Sequence, residues 1–449
     1  MVGAVLLKML VMNCAEVEME THEVFGVRPT LSEYSYVDRG DLDETFRRLV
    51  RRRQQHIAIR GASKSGKSWL RQRVLNNPII VQCRWGYAVE DIYRDALARL
   101  GIELVVERKE GAGFKGKVKA TGEAGFKLLA KVTGEAEFEG DFSRETLKEA
   151  VGKDVNDLEF VAGLIKGSGR TLVIEDFHYM RVEEQRKFSF DLKTLWDYET
   201  FVVVVGVWTS ENMLISLNPD LAERIQEIQV TWSKAELKQV VAKGCAKLNI
   251  RLKDSNSEKL SEISYGSVGL LQTLALRFLE DELKIHAAAE DHEEILVDSL
   301  KSIDDAAMHV ADQLNEVYQT FAKRVCEGIR RRQNATGIYA HAMAAVMEAS
   351  EEELGAGVPA KRICDVASAR EPRIVLGNLK RALSKFPELQ VDEDGRGLVL
   401  AYDTRNEIVS VVDKRLLLYR AYLTVKWPWE DLISEVADKK DAFEEVGAA

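Results

Sequence analysis

The chain has 449 residues, 46% of them apolar and 30% charged, with a formal charge of −10. Those values describe an ordinary globular protein of two or three domains, and they argue against a body wrapped in nucleic acid while leaving room for one basic domain. Five cysteines (Cys14, Cys83, Cys245, Cys326 and Cys364) are scattered with no CxxC pair, which points to reduced thiols, a cytoplasmic setting and neither zinc site nor disulfide framework.

Residues 3–12 are apolar, but Lys8 interrupts them and Glu16, Glu18 and Glu20 follow. They read as an amphipathic or frayed start to an N-terminal extension (1–30) rather than as a signal peptide. The longest apolar run elsewhere, Phe201 to Trp208, is too short to span a bilayer, so no membrane contact is expected.

From residue 56 to about 230, short apolar strands alternate with amphipathic helices, the pattern of a parallel sheet covered on both faces. Strands are expected at 56–60, 79–84, 171–175, 201–207 and 226–230, within a nucleotide-binding core spanning 31–232. Directly after the first strand comes Gly61-Ala62-Ser63-Lys64-Ser65-Gly66-Lys67-Ser68, and Trp69-Leu70 leads into a helix. This fits G-x-x-x-x-G-K-[ST], a loop whose amides cradle phosphates. Gly61, Ser63, Lys64, Ser65, Gly66, Lys67 and Ser68 are therefore the expected nucleotide-binding residues. Lys67 would reach the β- and γ-phosphates and Ser68 would ligate Mg²⁺.

Between Gly101 and Gly140 lie eight glycines, with lysines alternating over 115–119 and glutamates over 135–139. Paired antiparallel, the two stretches would set opposite charges across a hairpin. This predicts a β-rich insertion (about 105–142) standing off the core, either as a contact arm or as a solvated loop.

Thr171-Leu172-Val173-Ile174-Glu175-Asp176 is an apolar strand ending in two acids. Glu175 would help hold hydrated Mg²⁺ and Asp176 would orient the attacking water. His178, two residues on, suits either a site or a satisfied buried histidine.

After residue 230 no further strands are expected until the C-terminal region. Helices at 233–248, 255–264 and 267–286 would form a helical lid (233–290). A connector (291–334) carries an apolar stripe at Leu296, Leu300, Ile303, Ala307, Val310, Leu314, Val317 and Phe321, the spacing of a helix lying on its own subdomain. In the next segment (335–430), Leu389–Asp392 and Leu398–Tyr402 flank a glycine-containing turn. Three helices closed by such a hairpin predict a winged helix, followed by an acidic tail (431–449). Within it, a helix over 372–386 starting at Glu371-Pro372 would expose Arg373, Asn378, Lys380, Arg381 and Lys385, suited to phosphates and a base edge. The same basic face would equally serve as an internal lock against the acidic core.

Taken together, these motifs resemble the AAA+ P-loop ATPases of the initiator-like (Orc/Cdc6) and STAND branches, over residues 30–285. The resemblance implies that Tyr36-Val37-Asp38-Arg39 packs near adenine, making Tyr36 and Arg39 nucleotide contacts. It places Thr209, after Val205-Gly206-Val207-Trp208, where a polar residue senses the γ-phosphate; Thr209 would also suit a helix cap. It assigns Arg224 to a neighbouring subunit's nucleotide, although a surface arginine would look the same. One departure stands out: Gly269 occupies the place of the family's second sensor arginine, and Arg277 comes two turns later. That favours slow turnover. The expectation is an ATP- and Mg²⁺-dependent switch that self-assembles and signals to a separate protein partner. The rivals are a duplex-DNA-binding loader and a nucleotide-binding scaffold with little turnover.

Overall fold

The computed structural model describes residues 19–107, 115–120, 122–133, 149–151, 157–208, 210–288, 294–328, 336–390 and 397–434. They divide into two compact units: Gly40–Thr231 with Phe321–Asp413 and the chain from Pro428, and the chain up to Arg39 with Trp232–Thr320 and Lys414–Trp427.

The first unit contains β1 (His56–Arg60), β2 (Ile79–Gln82), β3 (Ile102–Glu107), β4 (Lys115–Ala120), β5 (Glu149–Val151), β6 (Leu172–Glu175), β7 (Val202–Gly206) and β8 (Ile225–Gln229). Five of these form a parallel sheet in the order β2-β6-β7-β1-β8. The strand carrying the acid pair is thus separated from the P-loop strand by one other strand. This is the α/β P-loop NTPase arrangement that the motifs imply.

Apolar residues alternate across the sheet, so both faces are dry. Ile57, Ile59, Val203 and Val205 pack on one side with Phe46 and Leu70. Ala58, Val202, Val204 and Ile174 pack on the other with Ile92, Leu164, Phe188 and Leu192. Each such buried aliphatic side chain contributes roughly 1.5–3 kcal/mol.

The insertion departs from expectation. The lysine-bearing β4 pairs antiparallel with β3 on one side and β5 on the other. The backbone register sets Glu103 opposite Lys119 and Glu107 opposite Lys115, so β3 supplies the acidic positions of the pairing. The glutamates of 135–139 lie outside the described residues. Nor does the whole segment stand off the core. The helix Gly122–Thr133 buries Leu128 and Leu129 in the main core. Gly163 and Gly167 leave room for it, since a Cβ on either would come within 3.3 Å of Val132.

In the second unit, the helices Lys234–Lys247, Asp254–Ile263 and Val268–Leu276 pack around Leu237, Leu260, Leu271 and Phe278. Ser233 and Glu236 form a capping box that starts the first helix. Two expectations fail here. Strands do not stop at residue 230, because β9 (Ile250–Leu252) and β10 (Ile295–Val297) pair in parallel. Leu296, read as the first member of a helical stripe, lies on β10 and is exposed, and the helix runs Leu300–Glu327. Ile303, Ala307 and Val310 are buried as the stripe requires, whereas Val317 is exposed. The N-terminal segment is also no loose extension from residue 19 onward. Val24 and Phe25 sit in this unit's core, and the Phe25 ring occupies the space a side chain at Gly244 would need.

The C-terminal part of the first unit holds the helices Ile338–Met347, Ala360–Arg370 and Leu376–Leu383. They accompany an antiparallel sheet of β11 (Val358–Pro359), β12 (Leu400–Asp403) and β13 (Ile408–Val411), in the order β11-β13-β12. The expected hairpin is displaced. Phe386–Gln390 is helical, with Pro387 in its first turn, where proline is tolerated. The buried Gln390 amide accepts from the Val399 and Leu400 amides and donates to the Leu400 carbonyl, doing by side chain what a partner strand would do. The true turn is Asp403–Ile408, where Asp403 accepts from the Arg405 and Asn406 amides and the Asn406 side chain. The predicted helix start at Glu371 also moves. The preceding helix ends at Arg370, Ile374 anchors the connecting turn in the core, and the next helix begins at Leu376.

Candidate nucleotide site

β1 delivers the loop. Gly61 must be glycine, because a Cβ there would lie 2.6 Å from the Val230 carbonyl oxygen and 2.8 Å from Ser65 Oγ. Lys64 and Gly66 take left-handed backbone (φ 57° and 88°), which curls the chain before the helix Lys67–Val74. The Lys67 ammonium is buried and donates to the carbonyls of Gly61 (3.1 Å) and Ala62 (2.7 Å). Burial lowers its pKa to about 8, opposed by the charges of Asp176 and then Glu175. The lysine, both acids and the loop therefore form one electrostatic site. Ser68 is exposed at the second position of the helix.

The acids differ in their partners. Glu175 ends β6 and accepts from Arg71 Nε on the P-loop helix at 3.0 Å, both side chains largely buried. Asp176 takes left-handed backbone (φ 56°), a strained conformation for a non-glycine residue, and accepts from Gln82 at 3.0 Å. His178 Nδ1 accepts from the Val207 amide at 3.3 Å, and its ring lies tilted against that of Tyr179. Burial lowers the His178 pKa to about 4, against the pull of Asp176 and with the push of Lys67. That favours the neutral ring, with Nδ1 as the acceptor. Neither Arg71 nor Gln82 was foreseeable, since nothing in local spacing marks them as partners of residues about a hundred positions away.

Among the described residues no cluster of three His, Cys, Asp or Glu side chains exists to cage a metal. A P-loop serine with one acid pair nevertheless fits Mg²⁺, which keeps waters and takes phosphate oxygens instead of a full protein cage.

The C-terminal sheet reaches this site. The Ser63 amide, one of the expected phosphate donors, donates to the Val412 carbonyl at 3.2 Å, directly after β13. Ser210 donates to Asp403 at 2.8 Å. Burial pushes Asp403 up, but its bonds from Ser210, Asn406 and Arg405 hold it below the usual carboxylate value. The Tyr179 phenol is raised by burial and then by Asp176 and Asp413, so a carboxylate from each side of this contact influences it.

Arg224 lies at the other end of β1: its carbonyl accepts from the His56 amide, four residues or roughly 13 Å from Arg60. Its guanidinium lies over the Trp196 ring, donates to the Asp220 carbonyl, and has Nε buried without a hydrogen-bond partner. Thr209 lies outside the described residues. Tyr36 and Arg39 belong to the second unit, where the Tyr36 carbonyl accepts from Lys243 and Arg39 stacks over Trp232. Gly269 is buried within Val268–Leu276, and Arg277 is paired with Asp281.

The basic residues of 373–385 are mostly engaged. Arg373 grips the buried Glu371 through two hydrogen bonds of 2.9 Å, and Lys380 and Lys385 pair with Glu407 and Glu388. Arg381 donates to the Gly377 carbonyl. Asn378 caps its own helix, accepting from the Val375 amide and donating to the Arg373 carbonyl.

No protein-family model and no curated protein matches the sequence. Among solved structures, similarity extends to the Aeropyrum pernix Orc1 protein in complex with DNA (12% identity, 87% of this chain and 94% of that one, TM-score 0.37). It extends also to Cdc6p from Pyrobaculum aerophilum (10% identity, 89% and 96%, TM-score 0.32). A third is a STAND ATPase with a tetratricopeptide repeat sensor from Pyrococcus horikoshii (13% identity, TM-score 0.34). It covers 94% of this chain, which spans 46% of that protein.

Proposed function

We propose that the protein is an AAA+-type molecular switch, a slow Mg²⁺-dependent ATPase whose nucleotide state is read by its own C-terminal domain, a winged helix. The observation that carries this reading is the Ser63–Val412 hydrogen bond. An amide that a phosphate would claim is held by the segment leaving the C-terminal sheet, so occupancy of the loop and docking of that segment bear on the same donor.

ATP binds on the P-loop through Gly61, Ser63, Lys64, Ser65, Gly66, Lys67 and Ser68. Ser68 and Glu175 would hold Mg²⁺, which would neutralise phosphate charge. Lys67 leaves the loop carbonyls for the phosphates. Asp176, the largest stabilising charge on Lys67, orients water, while Glu175, held by Arg71, would serve hydrated Mg²⁺ only once released. Thr209 senses the γ-phosphate. Arg224 is too far along β1 to serve its own loop, so it acts on a neighbouring copy's nucleotide. The output passes to a separate protein partner in a cytoplasmic setting; among the described residues no helix is long and apolar enough to cross a membrane.

At 373–385 Asn378 caps its own helix and three of the four basic side chains pair with carboxylates, contacts that duplex DNA would have to replace, so we take a protein partner as the output. The test is titration of the full chain with Mg·ATP alongside limited proteolysis. Wild type is expected to bind, Lys67→Ala to lose at least about a hundredfold in affinity, and a non-hydrolysable analogue to alter cleavage of the C-terminal domain. Failure of the wild type to take up either labelled ATP or GTP would sink the reading.

A further inference from the structure

Five arginines crowd into the seven residues from Arg47 to Arg53 of a chain whose formal charge is −10, and no nucleotide motif uses them. They sit on the last turns of the helix Leu42–Arg52, which Arg53 ends in left-handed backbone (φ 47°). Two are engaged locally: Arg47 lies 3.8 Å from both Asp43 and Glu44, and Arg51 pairs with Glu44 at 2.5 Å. Arg48, Arg52 and Arg53 are exposed, and their side chains have no partner among the described residues. Arg48 and Arg52 are four residues apart, so they lie side by side on one helix face. Cations near a helix C-terminus offset its dipole, which accounts for a basic last turn but not for what lies beside it.

At the end of the helix, Leu49, Val50, Ile57 and Phe201 line a small open recess, with Arg53 and Gln55 among its polar groups. It lies at the starts of β1 and β7, the end of the sheet away from the P-loop. The surroundings are acidic. Asp41, Asp43 and Glu44 open the helix, and the exposed Glu223, whose carbonyl accepts from Gln55, adjoins the recess. A nucleic-acid backbone would run on past the arginines into those carboxylates, whereas a short acidic segment can end among them. The guanidinium fork takes a carboxylate through two parallel bonds, and apolar walls beside a cation accept an apolar side chain next to an acid.

We propose that this face docks a short acidic segment of the protein partner, its carboxylates on Arg48, Arg52 and Arg53 and one apolar side chain in the recess. The proposal takes from the functional reading above only that a protein partner exists, and it needs no nucleotide. Were the arginines there only for the helix dipole, removing them would lower stability and leave peptide binding alone.

The experiment follows the anisotropy of a fluorescein-labelled synthetic peptide, glutamates flanking a central leucine, on the full chain without nucleotide. Arg48→Gln with Arg52→Gln keeps good helix formers and should weaken binding about tenfold, with the thermal midpoint as the check on folding. Arg53→Ala alone should weaken it about threefold, and is read by itself if the double variant does not fold. Replacing the peptide's leucine by serine should cost about fivefold. Binding unchanged in the folded variants would overturn the proposal, as would a wild type that ignores the peptide or a serine peptide that binds equally well. Tighter binding of a duplex oligonucleotide of equal charge would overturn it too, assigning the face to nucleic acid. A sedimentation change in the folded variants would do the same, assigning the face to a second copy of the chain. A wild type that binds the peptide but no labelled ATP supports this proposal and sinks the nucleotide reading alone.

Discussion

β1 begins in a buried histidine and ends in a buried arginine, and its two ends handle the same electrostatic problem in opposite ways. At the start, His56 has no carboxylate to pair with. Its Nε2–H donates to the Leu192 carbonyl at 2.7 Å, its Nδ1 accepts from the Val202 amide at 3.0 Å, and burial lowers its pKa to about 4. It stays neutral, and its role is to tie β1 to β7 and to the helix Val182–Asp197. At the end, Arg60 is met by Glu227, Glu211 and Gln229. Lys67, a few residues further on, is intermediate: buried, lowered to about 8 and faced by two acids. The histidine is held by backbone hydrogen bonds alone, whereas the arginine and the lysine face carboxylates.

The sharpest way to break the contrast is at the charged end. Glu227→Ala strands the Arg60 cation in a dry site, and urea denaturation should show a loss of about 3–5 kcal/mol. Were the loss under about 1 kcal/mol, Arg60 would have found water or another acid, and the contrast between the two ends would shrink.

The neutral end responds to pH instead. The unfolded chain binds the His56 proton near pH 6.5 and the folded chain only near 4. Stability is therefore full above pH 6.5 and is lost as pH falls towards 4, by roughly 3 kcal/mol at about 1.4 kcal/mol per pKa unit. His178, also lowered to about 4, adds in the same direction. Denaturation curves at pH 7, 5.5 and 4.5 for wild type and His56→Asn should show a flatter dependence in the variant; parallel curves would contradict the assignment.

The smallest of these effects concerns Lys67. Only its charged form attracts phosphate, so ATP affinity should hold below pH 8 and fall about tenfold for each unit above it, about 1.4 kcal/mol. An affinity flat from pH 7 to 9.5 would mean that the ammonium is better solvated than its burial indicates.

The P-loop and the acid-ended strand were legible because phosphate binding is specified locally. Eight consecutive residues must curl on glycines at fixed positions, and a buried strand must end in carboxylates. The parallel sheet was legible for a similar reason, since strands covered on both faces must be apolar throughout. The C-terminal hairpin was misplaced because Gly395-Arg396-Gly397 has turn composition, whereas the turn that formed is organised by one carboxylate, Asp403, whose contacts depend on how the chain closes. β9 and β10 were missed because three-residue strands leave no periodicity to read.

The sequence by itself determined that a P-loop motif stands at the end of a buried strand in an α/β core. Only tertiary structure decided who attends that loop: Arg71 at Glu175, Gln82 at Asp176, Glu227 beneath Arg60 and Val412 on the Ser63 amide. Backbone curvature and strand burial are properties of neighbours along the chain. A charged or polar partner is chosen by whatever folding brings within hydrogen-bond distance, and here those partners are separated by 104, 94 and 167 residues for the first three pairs.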